Sequence, residues 1–166
     1  RAAHDYLRTH RRGQVSAALH IVSIDLATNK IVVSRNSQCP AVVVRGAEIS
    51  LFDQPSQVIG IYPNTKPVIV EFPIEPGLTL VVFTDGIWSA GNRHGQPLDL
   101  LGVLRTHLQD APSPTTAQGL ADAILAESIH LDKSRPDDDM SVLVVQIVSY
   151  TRSDDARRLA VSFPLP

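Results

Sequence analysis

The sequence predicts an α+β domain in which helices pack against a largely antiparallel sheet or β-sandwich. Segments with strand character outnumber helical ones and do not alternate with them one for one. Two nearly continuous apolar runs, at residues 78–83 and 140–148, predict strands that are buried on both faces. A pair of amphipathic helices separates these runs, so the chain passes from strands to helices to one last central strand.

The elements before the helix pair follow from β-branched residues and turn residues. Residues 2–11 have a helical pattern that ends near Gly13. The first predicted strand, 14–26, forms a hairpin with the second through a turn at 27–30. Turns rich in Gly, Pro and Asn separate the remaining predicted strands, which lie at 31–36, 41–45, 48–52, 68–72 and 78–83.

The two predicted helices present apolar stripes that we interpret as core packing. The first spans 98–108. The second begins after Ser113 and Pro114, a capping residue followed by proline at the first helical position. The stripe residues are Leu101, Leu104 and Leu108 in the first helix and Ala117, Leu120, Ala121, Ile124 and Leu125 in the second.

Composition narrows the possible classes of function. The 166 residues, 43% hydrophobic and 19% charged with a formal net charge of -2, suit one globular domain. This balance lacks the basic face that nucleic-acid binding needs, so no nucleic-acid partner is expected. No apolar run is long enough for a membrane span, and no membrane contact by this segment is expected. The single cysteine, Cys39, excludes an internal disulfide and fits a cytoplasmic location; we interpret it as a small buried hydrophobe.

Acidic residues stand at the ends of the two most apolar strands. Asp85 follows the strand at 78–83 within the sequence Thr-Asp-Gly, and Asp137, Asp138 and Asp139 precede the strand at 140–148. If the two strands are antiparallel neighbours, Asp85 and Asp138 meet at one edge of the sheet. Carboxylate oxygens are the ligands that Mg²⁺ and Mn²⁺ prefer, and three adjacent aspartates would repel one another without a cation. Gly86 is expected to let the backbone turn away from the metal.

Each acidic motif also has a plain structural interpretation. Asp-Gly is a common turn dipeptide, and an aspartate run can be a solvated loop that caps a strand. The two motifs together, at the ends of two buried strands, favour a metal site.

The residues then resemble a known family. FTDGIWS, followed after a helix pair by DDMSVLVV, resembles the PPM-type metal-dependent protein serine/threonine phosphatases, and within them the bacterial SpoIIE-like branch. The hairpin with Asn36 and Pro40, the loop around Gly60 and the PGLTLVVFTDG approach resemble it as well, so that the likeness covers about residues 13–148.

The resemblance implies a β-sandwich flanked by helices and two Mn²⁺ or Mg²⁺ ions whose bound water attacks phosphoserine or phosphothreonine. It implies that Asp85 and Asp138 are metal ligands, and that Gly86, Asp139 and Ser141 support them from a second shell. Because the attacking group is a metal-activated water, the reaction needs no nucleophilic side chain. The implied substrate is a phosphorylated regulatory protein of the anti-sigma-factor antagonist type.

The sequence also departs from the family. An earlier Asp-Gly motif, which supplies a bridging ligand in relatives, is expected to lie upstream of Arg1, so the isolated chain should bind metal weakly. We therefore expect an N-terminally truncated phosphatase domain at 1–150, room for an upstream sensor domain, and a linker or accessory strand at 151–166. Residues 36–40 read NSQCP where relatives often carry glycine and histidine.

Two alternatives to a metal-dependent phosphatase make different demands on the sequence. A haloacid-dehalogenase phosphatase would need a second aspartate two residues after Asp85, where this chain has Ile87. A catalytically silent, phosphatase-like module that binds a signalling partner stays open.

Overall fold

The computed structural model describes residues 1–111 and 113–149 as four helices and seven strands, with one short 3₁₀ turn. The helices are α1 (Ala2–His10), α2 (Asp85–Trp88), α3 (Leu100–Leu108) and α4 (Ala117–Leu131). The 3₁₀ turn covers Asn92–His94. The strands are β1 (Leu19–Asp25), β2 (Lys30–Asn36), β3 (Ala41–Arg45), β4 (Glu48–Phe52), β5 (Val68–Pro73), β6 (Leu78–Phe83) and β7 (Val142–Gln146).

The strands form two antiparallel sheets that pack face to face, with helices α2, α3 and α4 on the outer side of one of them. One sheet has the order β1-β2-β5 and the other β4-β3-β6-β7. Between the sheets lies a core built from side chains of both. A second core lies between the four-stranded sheet and helices α2, α3 and α4. The predicted α+β class with an antiparallel sandwich is therefore confirmed.

Strand β6 is the centre of this arrangement because it contributes to both cores. All six of its residues are buried. Leu78, Leu80 and Val82 face the three-stranded sheet, while Val81 and Phe83 face the helices. This double packing explains why the run is almost entirely apolar, the pattern that predicts a strand covered on both faces.

Strand β7 differs from the prediction of a second fully buried strand at 140–148. It spans only Val142–Gln146 and pairs with β6 at the edge of the described sheet. Leu143 points toward the space between the sheets, as Val82 does opposite it, yet is 49% exposed. On the other sheet, Ile24 of β1 also faces inward and is 44% exposed. The sandwich core is thus tightest under β2, β3 and β6 and more open toward β1 and β7.

The predicted starts of the first strand and of the second core helix were wrong by a few residues. The first strand begins at Leu19 because its partner β2 ends at Asn36, directly opposite; Ala17 instead forms an isolated bridge with Ile59. Helix α4 begins after Thr116, whose hydroxyl accepts a 3.1 Å hydrogen bond from the Gly119 N–H, and not at Ser113-Pro114.

The helical stripes are confirmed in their main members. Leu104, Leu120 and Ile124 are fully buried against the four-stranded sheet, and Leu100, outside the predicted stripe, joins them. Within the described residues, no helix is both long and apolar enough to cross a bilayer. The linker or accessory strand expected at 151–166 lies outside the described residues.

We predict that Leu80→Ala lowers the free energy of unfolding by about 2–5 kcal/mol, because it leaves a cavity between the two sheets. Leu143→Ala is the matched control: it removes the same atoms from the same side of the sheet at a half-exposed position. It should cost clearly less in the same urea-denaturation measurement. Equal costs for the two variants would contradict the assignment of the core.

Candidate metal site at the β6–β7 edge

The two acidic segments lie side by side because β6 and β7 are antiparallel neighbours. Phe83, the last residue of β6, pairs with Val142, the first residue of β7. The chain that leaves β6 therefore runs beside the chain that enters β7. The sequence expectation that these strands would bring the Asp85 and Asp138 segments to one edge of the sheet is confirmed.

Thr84 extends the contact beyond the last strand pair. Its N–H donates to the Ser141 carbonyl at 3.0 Å. Its hydroxyl donates to the Asp139 carbonyl at 2.8 Å and accepts from the Ser141 N–H at 2.9 Å. Both hydrogen-bonding roles of one side chain are thus used to hold the two acidic segments together. We call these three bonds the Thr84 clasp.

Sequence reasoning did not single out Thr84 as a site residue. The available signal was weak: a threonine between a buried strand and an Asp-Gly pair has a hydroxyl that could serve either segment. As the N-cap of α2, Thr84 would ordinarily be expected to bond within its own helix. Its use across the turn depends on which segment packs there, and this is tertiary information.

Gly86 is needed for a different reason from the one expected. It lies in helix α2 with a backbone conformation open to other residues, so it does not serve to turn the chain away. A Cβ at this position would lie 2.6 Å from the Asp139 carbonyl oxygen and 3.1 Å from that of Asp138. Only glycine permits this close approach of the two backbones.

The aspartate side chains themselves are exposed. Asp85 opens helix α2, and Ser89 bonds to its backbone carbonyl through a 2.7 Å contact from Oγ. Asp138 Oδ1 accepts a 2.8 Å hydrogen bond from the Asp139 N–H. Asp139 and Ser141 enter the Thr84 clasp through backbone atoms, so their side chains are exposed and uncommitted to it. The predicted ligand roles of Asp85 and Asp138, and the predicted supporting role of Asp139, stay predictions.

Asp137 is compensated by the protein's own cation. Its carboxylate forms an ion pair with Arg93 Nε, and Arg93 Nη2 also donates to the Arg135 carbonyl at 2.6 Å. The expectation that three adjacent aspartates need a metal to relieve their repulsion therefore holds at most for Asp138 and Asp139. The sequence does not point to Arg93, since the two partners lie 44 positions apart in the chain.

Buried polar residues support the neighbouring loop between β2 and β3. The guanidinium of Arg35, which is 2% exposed, donates to the carbonyls of Ser37 at 2.7 Å and Cys39 at 3.0 Å. Burial lowers the pKa of Arg35. Cys39 is buried, as predicted. Burial raises the pKa of its thiol.

Trp88 and His20 have structural surroundings. Trp88 is 44% exposed and stacks on Phe83 with a centroid separation of 5.8 Å. His20 is half-buried, and burial lowers its pKa. A surface cavity of about 670 Å³ between α3 and α4 is lined by residues that include His107 and His130, and it contains no residue of the acidic edge, by which we mean Asp85, Asp137, Asp138 and Asp139.

The donor chemistry at the acidic edge fits a hard divalent cation. Asp85 and Asp138 offer carboxylate oxygens from two segments that the backbone holds together, and Mg²⁺ is often bound through one or two carboxylates and several waters. Among residues 1–111 and 113–149, no group of three or more His, Cys, Asp or Glu side chains is placed to hold a metal ion. The described residues therefore offer no complete set of side-chain ligands for a metal ion.

Comparison with known proteins agrees with this architecture. The family profile of Stage II sporulation protein E (SpoIIE) matches residues 1–148. The Mn-presoaked phosphatase domain of the cell fate determinant SpoIIE from Bacillus subtilis is similar in fold, with a TM-score of 0.62 at 22% identity. A SpoIIE structure from the same organism that contains the PP2C phosphatase domain and a fragment of the regulatory domain gives 0.70 at 23%. The SiaA-PP2C domain of Pseudomonas aeruginosa gives 0.66 at 21%.

These matches cover most of this chain and only part of each relative. They span 82%, 90% and 86% of this chain, respectively, but 59%, 43% and 57% of the three solved chains. Among curated proteins, none matches. At these identities the solved structures establish the fold, whereas the family follows from the profile match.

We predict that Gly86→Ala displaces the Asp138–Asp139 segment or destabilises the protein by about 1–3 kcal/mol, because its methyl group would collide with backbone carbonyls. Gly119→Ala is the control: there the added Cβ meets only Thr side chains, at 3.3 and 3.5 Å, and alanine favours the helix. Thermal unfolding of both variants measures the difference. A Gly86→Ala protein as stable as Gly119→Ala would contradict the close approach.

We predict that Thr84→Val lowers stability by about 1 kcal/mol, because it removes the hydroxyl that bonds to Asp139 and Ser141 while keeping the shape of the side chain. Thr84→Ser keeps the hydroxyl and should retain most of the stability. Urea denaturation of the two variants separates the hydrogen bonds from packing. The Thr84 clasp would be disproved if valine were tolerated as well as serine.

Proposed function

The chain belongs to the SpoIIE family of PPM-type protein serine/threonine phosphatases, and on that premise we propose that it hydrolyses phosphoserine or phosphothreonine in a regulatory protein with the help of Mn²⁺ or Mg²⁺. The observation that carries the proposal is the juxtaposition of the Asp85 and Asp138 segments by the β6–β7 pair and the Thr84 clasp. The chain spans 43–59% of the solved relatives described above. The activity is therefore proposed for the whole protein.

The residues of this chain would act by holding a metal ion and by keeping its ligand segments together. Asp85 and Asp138 would hold a divalent cation by their carboxylates, and Gly86 and the Thr84 clasp keep the two ligand segments in contact. Such cations, when bound, neutralise phosphoryl oxygens and lower the pKa of a coordinated water. The exposed position of both aspartates fits a substrate that is a folded phosphoprotein, because a phosphorylated side chain of such a protein reaches only a surface site.

The substrate that we propose is a phosphorylated regulatory protein of the anti-sigma-factor antagonist type. Its support is the resemblance of FTDGIWS and DDMSVLVV to the SpoIIE-like branch. No more specific partner follows from the acidic edge.

A second candidate is a phosphatase-like module that binds a signalling partner without hydrolysing it. It is favoured by one observation: within the described residues, the acidic edge lacks a third side chain that could complete a metal site. The two candidates differ in an outcome that can be measured, because the silent module would bind the phosphoprotein and leave its phosphate in place.

We predict that the full-length protein hydrolyses p-nitrophenyl phosphate only with Mn²⁺ or Mg²⁺, and that Asp85→Asn and Asp138→Asn each lower kcat/KM by about 100-fold or more, since they remove a ligand charge without changing shape. Asp122→Asn, an exposed change on helix α4, is the matched control and should keep full activity. Undiminished hydrolysis by both variants would rule out the metal roles. Absence of hydrolysis by the unaltered protein, together with retained phosphoprotein binding, would favour the silent module.

A further inference from the structure

We propose that Arg93 is a positioning residue that holds the acidic segment 135–139 against the Thr84–Gly86 turn and so sets the place of Asp138 beside Asp85. The inference deepens the proposed function and rests on it. It assigns a role to a side chain that touches neither metal nor substrate in that function.

The argument begins with the two contacts that Arg93 makes to one short segment. Arg93 Nε pairs with the Asp137 carboxylate, and Nη2 donates to the Arg135 carbonyl at 2.6 Å. One planar guanidinium therefore joins a side chain and a backbone atom two residues apart. Such a fork fixes direction as well as distance, which a lysine ammonium would not do.

The turn that carries Arg93 is itself anchored to the end of helix α4, which leads into the segment 135–139. Gly91, at φ +75°, donates its N–H to Asp132 Oδ1 at 2.9 Å, and Asp132 is 5% exposed at the end of α4. A Cβ on Gly91 would collide with the carbonyl oxygen of Gln96, so the turn is tightly closed. Arg93 thus projects from a base that is fixed relative to the segment it holds.

Asp138 lies between two attachments as a result. On one side Arg93 binds Arg135 and Asp137, and on the other Thr84 binds Asp139 and Ser141. The intervening aspartate also has a local bond, from the Asp139 N–H to its own Oδ1. Removing either attachment frees one side of Asp138.

A role of Arg93 through its charge and a role through positioning predict opposite changes in cation binding, so an experiment can distinguish them. If Arg93 acted only through its charge, its removal would leave the edge more negative and would tighten cation binding. If it acts by position, its removal widens the range of places that Asp138 visits and weakens cation binding. The pair is 45% and 60% exposed, so its contribution to global stability is small and its effect is local.

The decisive variant is the double substitution R93Q/D137N in the full-length protein. It removes the ion pair and leaves the net charge of the edge unchanged. We expect the dissociation constant for Mn²⁺, measured by calorimetry without substrate, to rise by roughly fivefold. We also expect the Asp139 and Ser141 amides to exchange hydrogen roughly fivefold faster in the absence of metal. The control K30Q/E71Q removes an ion pair of similar exposure, 54% and 52%, on the three-stranded sheet and should change neither quantity.

The outcomes separate this inference from the proposed function. Unchanged Mn²⁺ affinity and unchanged amide exchange in R93Q/D137N would overturn the role of Arg93 while leaving a metal site intact. A protein in which neither Asp85 nor Asp138 affects Mn²⁺ binding would overturn the metal site, and amide exchange would still decide whether Arg93 holds the segment. R93Q alone with tighter Mn²⁺ binding and unchanged exchange would assign Arg93 a role through charge alone.

Discussion

The antiparallel pairing of β6 with β7 is the constraint on which the rest of the site depends. Both strands serve the cores of the sandwich, and their register is set by apolar side chains, not by the acidic residues beyond them. Val142 and Val144 of β7 pack toward the helices, whereas Val145 packs toward the other sheet, so each face of the strand has its own partners. The Thr84 clasp and the Gly86 contact continue that register into the turns. The packing of the two cores therefore determines how the acidic residues are placed.

The parts of the structure that could be predicted from sequence are those with a local cause. A six-residue apolar run predicts β6 because it needs cover on both sides, and helical spacing locates Leu104, Leu120 and Ile124 in the core. The convergence of the Asp85 and Asp138 segments was also predictable, because it needs only two adjacent strands. The reduced burial of β7 was not, since an edge position depends on how many strands the sheet contains.

The contacts missing from the sequence prediction are those between segments that are distant in the chain. Thr84 has the properties of an ordinary helix cap, and Arg93 those of a solvated turn residue, until the fold brings Asp139 and Asp137 beside them. The expected reason for Gly86 was wrong in a related way. Local rules explain glycine by backbone freedom, whereas the actual reason is a neighbouring backbone that a local rule cannot see.

The close contact at Gly86 has a consequence for thermal motion. Thr84 and Asp139 are 55 residues apart in the chain. Even so, the backbone at Gly86 lies so close to the carbonyls of Asp138 and Asp139 that a methyl group would not fit between them. Sliding or separation of the two turns would break the bonds of Thr84 at the same time. We therefore expect the two turns to move together, and the two exposed carboxylates with them.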